Sequence, residues 1–220
     1  MIKAALFDLD GTLLDRAGSL LSFLTGQHAR FADRLGSADM ETWRSRFLAL
    51  DQNGHVHKSI VYPALLSEFG GEAGAGGELL ADYRQRSCEH ARGFPGMAQT
   101  LSALRERGLE LGIATNGKTE FQMRNVRALG LDALVDAILI SQAEGLRKPD
   151  AALFHRAAER LKTKPEHCLF VGDNPEADIL GAHGAGMRTA WFNVGAAWPA
   201  ALSPNPGAEI AELSKALALF

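Results

Sequence analysis

"IKAALFDLDGTLLD", residues 2–15, opens on a short apolar run, Ile2 to Phe7, that stops abruptly in acid. A run of this length and character reads as a buried strand. Asp8 and Asp10 follow it two residues apart, with Gly11 and Thr12 behind them and Asp15 closing the segment. Like charges this close raise one another's cost of ionisation unless a cation or a chemical task compensates. Gly11 frees the backbone to turn sharply at this point.

Further runs of the same kind recur downstream: Leu109 to Ala114, Ala137 to Ile140, Cys168 to Val171 and Thr189 to Phe192. Between them lie segments with helical spacing. "GMAQTLSALRERG" sets Met97, Leu101 and Leu104 on one face and stops at Gly108, while "TEFQMRNVRALG" sets Phe121, Val126 and Leu129 inward and stops at Gly130. "DAALFHRAAERLK" begins at an N-cap candidate, Asp150, and "EADILGAHGAG" supplies another short helix. Strands alternating with helices imply βαβ units, hence an α/β, Rossmann-like parallel sheet with helices on both faces. The tail "GAEIAELSKALALF" reads as a final packing helix after a linker around "SPNP".

Residues 16–92 break this rhythm with helical patterns and no convincing strand, which predicts a small all-helical domain (16–92) inserted into a core formed by 1–15 and 93–220. The glycine-rich "GGEAGAGG", Gly70 to Gly77, follows no strand and lacks GxGxxG spacing, so it reads as a turn between two helices and not as a nucleotide loop.

The chain has 220 residues, 46% of them hydrophobic and 22% charged, with a formal net charge of -3. That balance argues against a dedicated nucleic-acid binder, which carries a basic excess. Two distant cysteines, Cys88 and Cys168, make neither a CxxC metal site nor a disulfide framework and read as space-filling thiols. No run approaches the roughly eighteen apolar residues a membrane span needs, and the opening residues do not form a secretory signal, so the expectation is a cytoplasmic protein with no membrane partner. The sequence carries no signal for an oligomeric state.

Ligands of an open parallel sheet bind outside the carboxyl ends of its strands, and the notable polar residues cluster just after the apolar runs. Asp8 and Asp10 follow the first; Thr115, Asn116 and Gly117 the second; Lys148 the third, eight residues beyond Ile140; Asp173 and Asp178 the fourth. One such aspartate alone would be a helix cap or turn residue. Four acids, a hydroxyl, an amide and a lysine on one rim suit phosphoryl transfer. A carboxylate can attack phosphorus, and other carboxylates can hold Mg²⁺. Lys148 can neutralise phosphate, while Thr115 and backbone N–H groups near Gly117 hold its oxygens. Asp10 could protonate the leaving alkoxide and later deprotonate water.

"FDLDGTLLD", "ATNG", "RKPD" and "VGDNPEAD" resemble, in order, the four motifs of the haloacid dehalogenase-type hydrolase superfamily. The resemblance spans the whole chain and implies that the helical insert is a cap. It implies Asp8 as nucleophile and Asp10 as general acid/base, with Thr115 and Lys148 binding the phosphoryl group and Asn116 and Gly117 in the phosphate-binding loop. Asp173 would complete a Mg²⁺ site with the Asp8 side chain and the Asp10 backbone carbonyl, and Asp178 would support that shell. Dehalogenases of the superfamily lack an acid two residues beyond the nucleophile, so Asp10 favours a phosphatase acting on a small phosphorylated metabolite such as a sugar phosphate or nucleotide. The rivals are a phosphomutase of the same superfamily and a non-catalytic binding module.

Within the insert, "LDQNGHVHKS" (residues 50–59) is the most polar loop-like stretch. His55 and His57 read as exposed or capping residues, because hard Mg²⁺ does not favour imidazole. Arg46 and Lys58 are candidates for substrate contacts or for a solvated helix face, Trp43 and Phe47 for cap packing, and Asp15 for a turn or hinge.

Overall fold

A computed structural model describes all residues, 1–220. Six strands form one parallel sheet: β1 (Ala4–Phe7), β2 (Glu110–Thr115), β3 (Ala137–Ile140), β4 (Cys168–Gly172), β5 (Arg188–Phe192) and β6 (Ala208–Ile210), in the order β3-β2-β1-β4-β5-β6. The five strands expected from the apolar runs are present: β1 starts two residues later than expected, β2 is shifted by one residue, β3 has the expected bounds, and β4 and β5 are each one residue longer. The chain divides into two compact units, Met1–Arg16 with Arg92–Phe220, and Ala17–Ala91.

In the sheet unit, all four residues of β1 are buried, since β2 and β4 flank it in parallel register and both faces are covered. On one face Leu6, Ala114, Leu139 and Phe170 pack against Leu153, Phe154 and Ala157. On the other, Ala5, Phe7, Ile113 and Val171 are equally buried. The tail corrects its sequence reading. Its first residues pair with the open edge of β5 (Ala190↔Ala208, Phe192↔Ile210) as strand β6, and Leu213–Leu219 follow as a 3₁₀ helix with Leu213 and Ala216 buried.

The Ala17–Ala91 unit is built on helices α1 (Arg16–Phe31), α2 (Met40–Asp51), α3 (Lys58–Phe69) and α4 (Ala75–Arg86), the first beginning one residue ahead of it. Its core gathers Phe23, Leu24, Trp43, Phe47, Tyr62, Leu65 and Leu79. The glycine-rich stretch is only half a turn: α4 starts at Ala75, so Gly76 and Gly77 are helical. A second buried grouping sits here, an ion pair between Asp51 and Lys58, with the ammonium 5.5 Å from the centre of the Tyr83 ring.

The sheet unit continues with α5 (Met97–Glu106), α6 (Thr119–Ala128), α7 (Ser141–Glu144), α8 (Ala151–Arg160) and α9 (Gly181–Gly184). Met97, Leu101 and Leu104 form the buried stripe of α5. Asp150 caps α8 by accepting from the Ala152 N–H at 2.9 Å. The stretch expected as one short helix is a π-helical turn, Pro175–Leu180, running into α9. Where the chain leaves and re-enters this unit, Leu14 bridges Gly93 and the Asp15 N–H donates to the Arg92 carbonyl. No helix is long and apolar enough to cross a membrane.

Candidate active site

The chain steps outward from β1 to β2 to β3, then returns to place β4 on the other side of β1. That reversal opens a crevice at the carboxyl ends of β1 and β4, the place where open parallel sheets bind ligands. Asp8 leaves β1 there and Asp173 leaves β4. Lys148, from the loop between α7 and α8, is buried among them. Its ammonium pairs with the Asp8 carboxylate and lies 2.6 Å from Asp178 Oδ1. Carboxylate oxygens of Asp8, Asp173 and Asp178 all lie within 4.8 Å of one another.

Two glycines make this crowding possible. Gly11 adopts φ +88°, and a Cβ there would run into the Asp173 carboxylate. A Cβ on Gly172 would collide with the Asp178 side chain. Asp178 is fixed further by the Asn174 N–H, which donates to its Oδ2 at 3.0 Å. The Thr12 hydroxyl donates to Asp173 Oδ1 at 3.4 Å, and the Trp191 indole N–H donates to the Asp173 backbone carbonyl at 2.8 Å. The Trp191 ring meets Trp198 edge-on, centroids 5.2 Å apart.

The electrostatics follow from burial. Burial pushes the Asp8 carboxyl well above the usual carboxylate range; Lys148 opposes this, and Asp178 and Asp173 add to it. Burial likewise pushes Asp173 up, with Asp178 reinforcing it, to about 7. Burial alone would lower the Lys148 ammonium, but Asp178 and Asp8 outweigh it and raise it. Three carboxylates against one ammonium leave the cluster short of positive charge. Its donors are all hard oxygens, the set that suits Mg²⁺. These residues therefore fit a divalent cation.

The remaining predicted residues sit beside this cluster. The Asp10 carboxylate is not one of the three converging side chains; its Oδ2 accepts from Gln122 Nε2 at 2.6 Å. Thr115 ends β2 with its hydroxyl oxygen accepting from the same amide at 2.8 Å. Asn116 uses its side chain on the backbone of Lys148, accepting from its N–H at 2.9 Å and donating to its carbonyl at 3.0 Å. It thereby holds the loop that carries the lysine. The Gly117 N–H donates to Ser141 Oγ at 2.9 Å.

Gln122 is the residue that sequence reasoning passed over. The inward face of α6 is Gln122, Asn125 and Val126, while Phe121 and Leu129 are only half-buried. The signal was available: Gln122 stands four residues before Val126 and so shares its face. In the helical unit, Arg46 is bound to Glu68 (2.7 and 2.9 Å), and Lys58 to Asp51. His57 caps α3, accepting from the Ser59 N–H at 3.2 Å.

Comparison with known proteins agrees with this geometry. Residues 2–186 match the haloacid dehalogenase-like hydrolase family. A glyceraldehyde 3-phosphate phosphatase of Pyrococcus furiosus is 32% identical over 200 residues, covering 88% of this chain and 82% of that protein. The magnesium-bound structure of the HAD-hydrolase YfnB from Bacillus subtilis superposes with a TM-score of 0.77 at 28% identity, covering 99% of this chain and 98% of that one. A 2-haloacid dehalogenase from Pseudomonas syringae superposes with a TM-score of 0.66 at 30% identity, covering 100% and 98%.

Proposed function

The chain belongs to the haloacid dehalogenase-like hydrolase family, and from that premise we propose that it is a Mg²⁺-dependent phosphatase of small phosphate monoesters, with Asp8 as its nucleophile. The observation that carries the reading is the Lys148 ammonium between Asp8 and Asp178, with Asp173 alongside and a second acid, Asp10, two residues beyond the nucleophile.

Asp8 attacks phosphorus: an Asp8 O–P bond forms as the bond from phosphorus to the ester oxygen breaks. Asp10 gives its proton to the departing alkoxide. Asp10 then takes a proton from a water that attacks the aspartyl phosphate, and the Asp8 O–P bond breaks to release phosphate. Lys148 neutralises phosphoryl charge, and the Thr115 hydroxyl holds a phosphoryl oxygen. The residues that would hold Mg²⁺ are Asp8, Asp173 and the Asp10 backbone carbonyl, with Asp178 anchoring Lys148 beside them. When bound, the ion supplies the positive charge that lets an anionic nucleophile approach a phosphate dianion. Asp10 also separates this reading from dehalogenation, because a halide leaves without needing a proton. By the resemblance to the family, the helical unit is its cap, the part that selects the leaving group.

The test is a panel of monoesters, including glyceraldehyde 3-phosphate, phosphoserine and a nucleoside 5′-monophosphate, scored by kcat/KM with Mg²⁺ and with chelator. 2-Chloropropionate is the counter-probe. Chelator-sensitive phosphate release supports the reading; halide release without phosphatase activity overturns it.

A further inference from the structure

Gln122 meets both the proton-transferring acid and the phosphate-holding hydroxyl of the proposed reaction. Its side chain is buried. Its amide nitrogen lies 2.6 Å from Asp10 Oδ2, 2.8 Å from Thr115 Oγ1 and 3.3 Å from the Asn116 carbonyl oxygen. A carboxylate only accepts, so the NH₂ end must face Asp10. The carbonyl end is held from behind by Asn125 Nδ2 at 3.4 Å, which favours that orientation. The amide also fits closely under the Gly117 backbone, where an added Cβ would lie 2.8 Å from Gln122 Cγ. Gln122 is therefore braced on two sides while it donates on a third.

We propose that Gln122 is a positioning residue that fixes Asp10 and Thr115 relative to one another, so that the proton donor faces the ester oxygen of a phosphate held by Thr115. The inference rests on the roles proposed above for those two residues. Donation to Oδ2 leaves the other Asp10 oxygen to carry the proton. Donation to Thr115 Oγ1 occupies a lone pair and turns the hydroxyl into a donor toward its ligand. Only an amide of this length does both: a carboxylate would repel Asp10, and an apolar chain would release both partners.

The experiment compares kcat/KM for an alkyl ester, glycerol 3-phosphate, with that for p-nitrophenyl phosphate, whose leaving group departs without a proton. Gln122→Met and Gln122→Glu are measured beside Asp10→Asn. Misaligning a proton donor costs on the order of 10²-fold on the substrate that needs it. The alkyl-to-aryl ratio should therefore fall at least about tenfold in both Gln122 variants, in the same direction as in Asp10→Asn. The ratio is independent of how much enzyme is folded, so a poorly folding variant still reports. If Asp10→Asn shifts the ratio and the Gln122 variants leave it unchanged, the inference fails alone. If Asp10→Asn leaves it unchanged as well, the role given to Asp10 fails and takes the inference with it.

Discussion

Each unit buries lysine against aspartate, and the two arrangements differ in what gathers around the ammonium. In the helical unit Asp51 pairs with Lys58, with the Tyr83 ring beside the ammonium. In the sheet unit Lys148 faces Asp8 and Asp178 at once, with Asp173 alongside. The first sets one carboxylate and an aromatic ring against its ammonium. The second keeps an excess of negative charge in a buried crevice, which burial makes costly and a cation relieves. A surplus of buried carboxylates around one ammonium is what marks a site prepared for a cation.

Substitutions can break this contrast, beginning with the nucleophile. Asp8→Asn should lower phosphate-monoester hydrolysis by on the order of 10⁴-fold or more, as loss of a covalent nucleophile does, with an unchanged far-ultraviolet dichroism spectrum. Retained turnover would remove Asp8 from its role. Adding Lys148→Met to that variant should restore no activity. In the helical unit the outcome differs: Lys58→Met takes the ammonium away from the buried Asp51 carboxylate and should cost about 3–5 kcal/mol in urea unfolding, whereas the apolar double variant Asp51→Leu/Lys58→Met should recover most of it.

The sheet-unit cluster should also show in the pH dependence of stability. Asp173 binds its proton more tightly in the folded protein than in the unfolded chain, up to about 7. Its contribution thus favours the fold where it is protonated and is lost as pH rises from about 4 to about 7, by on the order of a few kcal/mol. Burial acts on Asp8 in the same direction. Melting temperatures in chelator should record that decline, and Mg²⁺ should raise the melting temperature more at pH 7 than at pH 5. An increment independent of pH would mean that the cation does not bind these carboxylates. The smallest effect concerns the close approach itself. Gly11→Ala meets both a positive φ and the Asp173 carboxylate, and should destabilise by about 1–2 kcal/mol while weakening Mg²⁺ activation.

Much of the fold was legible because its signals are local. An apolar run ending in acid identifies β1 and its turn; Asp150 marks a helix start by its side-chain carboxylate and Gly108 a helix end by its positive φ. Strand β6 was not legible: three residues have no period, and Ala, Glu and Leu in the tail favour helix until the β5 edge recruits them. The rim residues were legible as a set, but their pairing was not. That Asp178 joins Asp8 on the same ammonium, or that Asn116 braces the lysine's backbone, depends on distances between elements that spacing along the chain does not encode. Gln122 was hidden for another reason. Helical periodicity is legible through apolar residues, and the buried face of α6, Gln122, Asn125 and Val126, is largely polar.

The bond from Trp191 to the Asp173 carbonyl has a practical consequence. An indole's emission depends on the field and packing around it, and this one is tethered to the backbone of a cluster whose charge changes with occupancy. The molecule thus carries its own optical gauge, with Trp198 set edge-on to it as a neighbouring chromophore. Titration with a colourless ion can be followed by intrinsic fluorescence, without substrate, label or turnover.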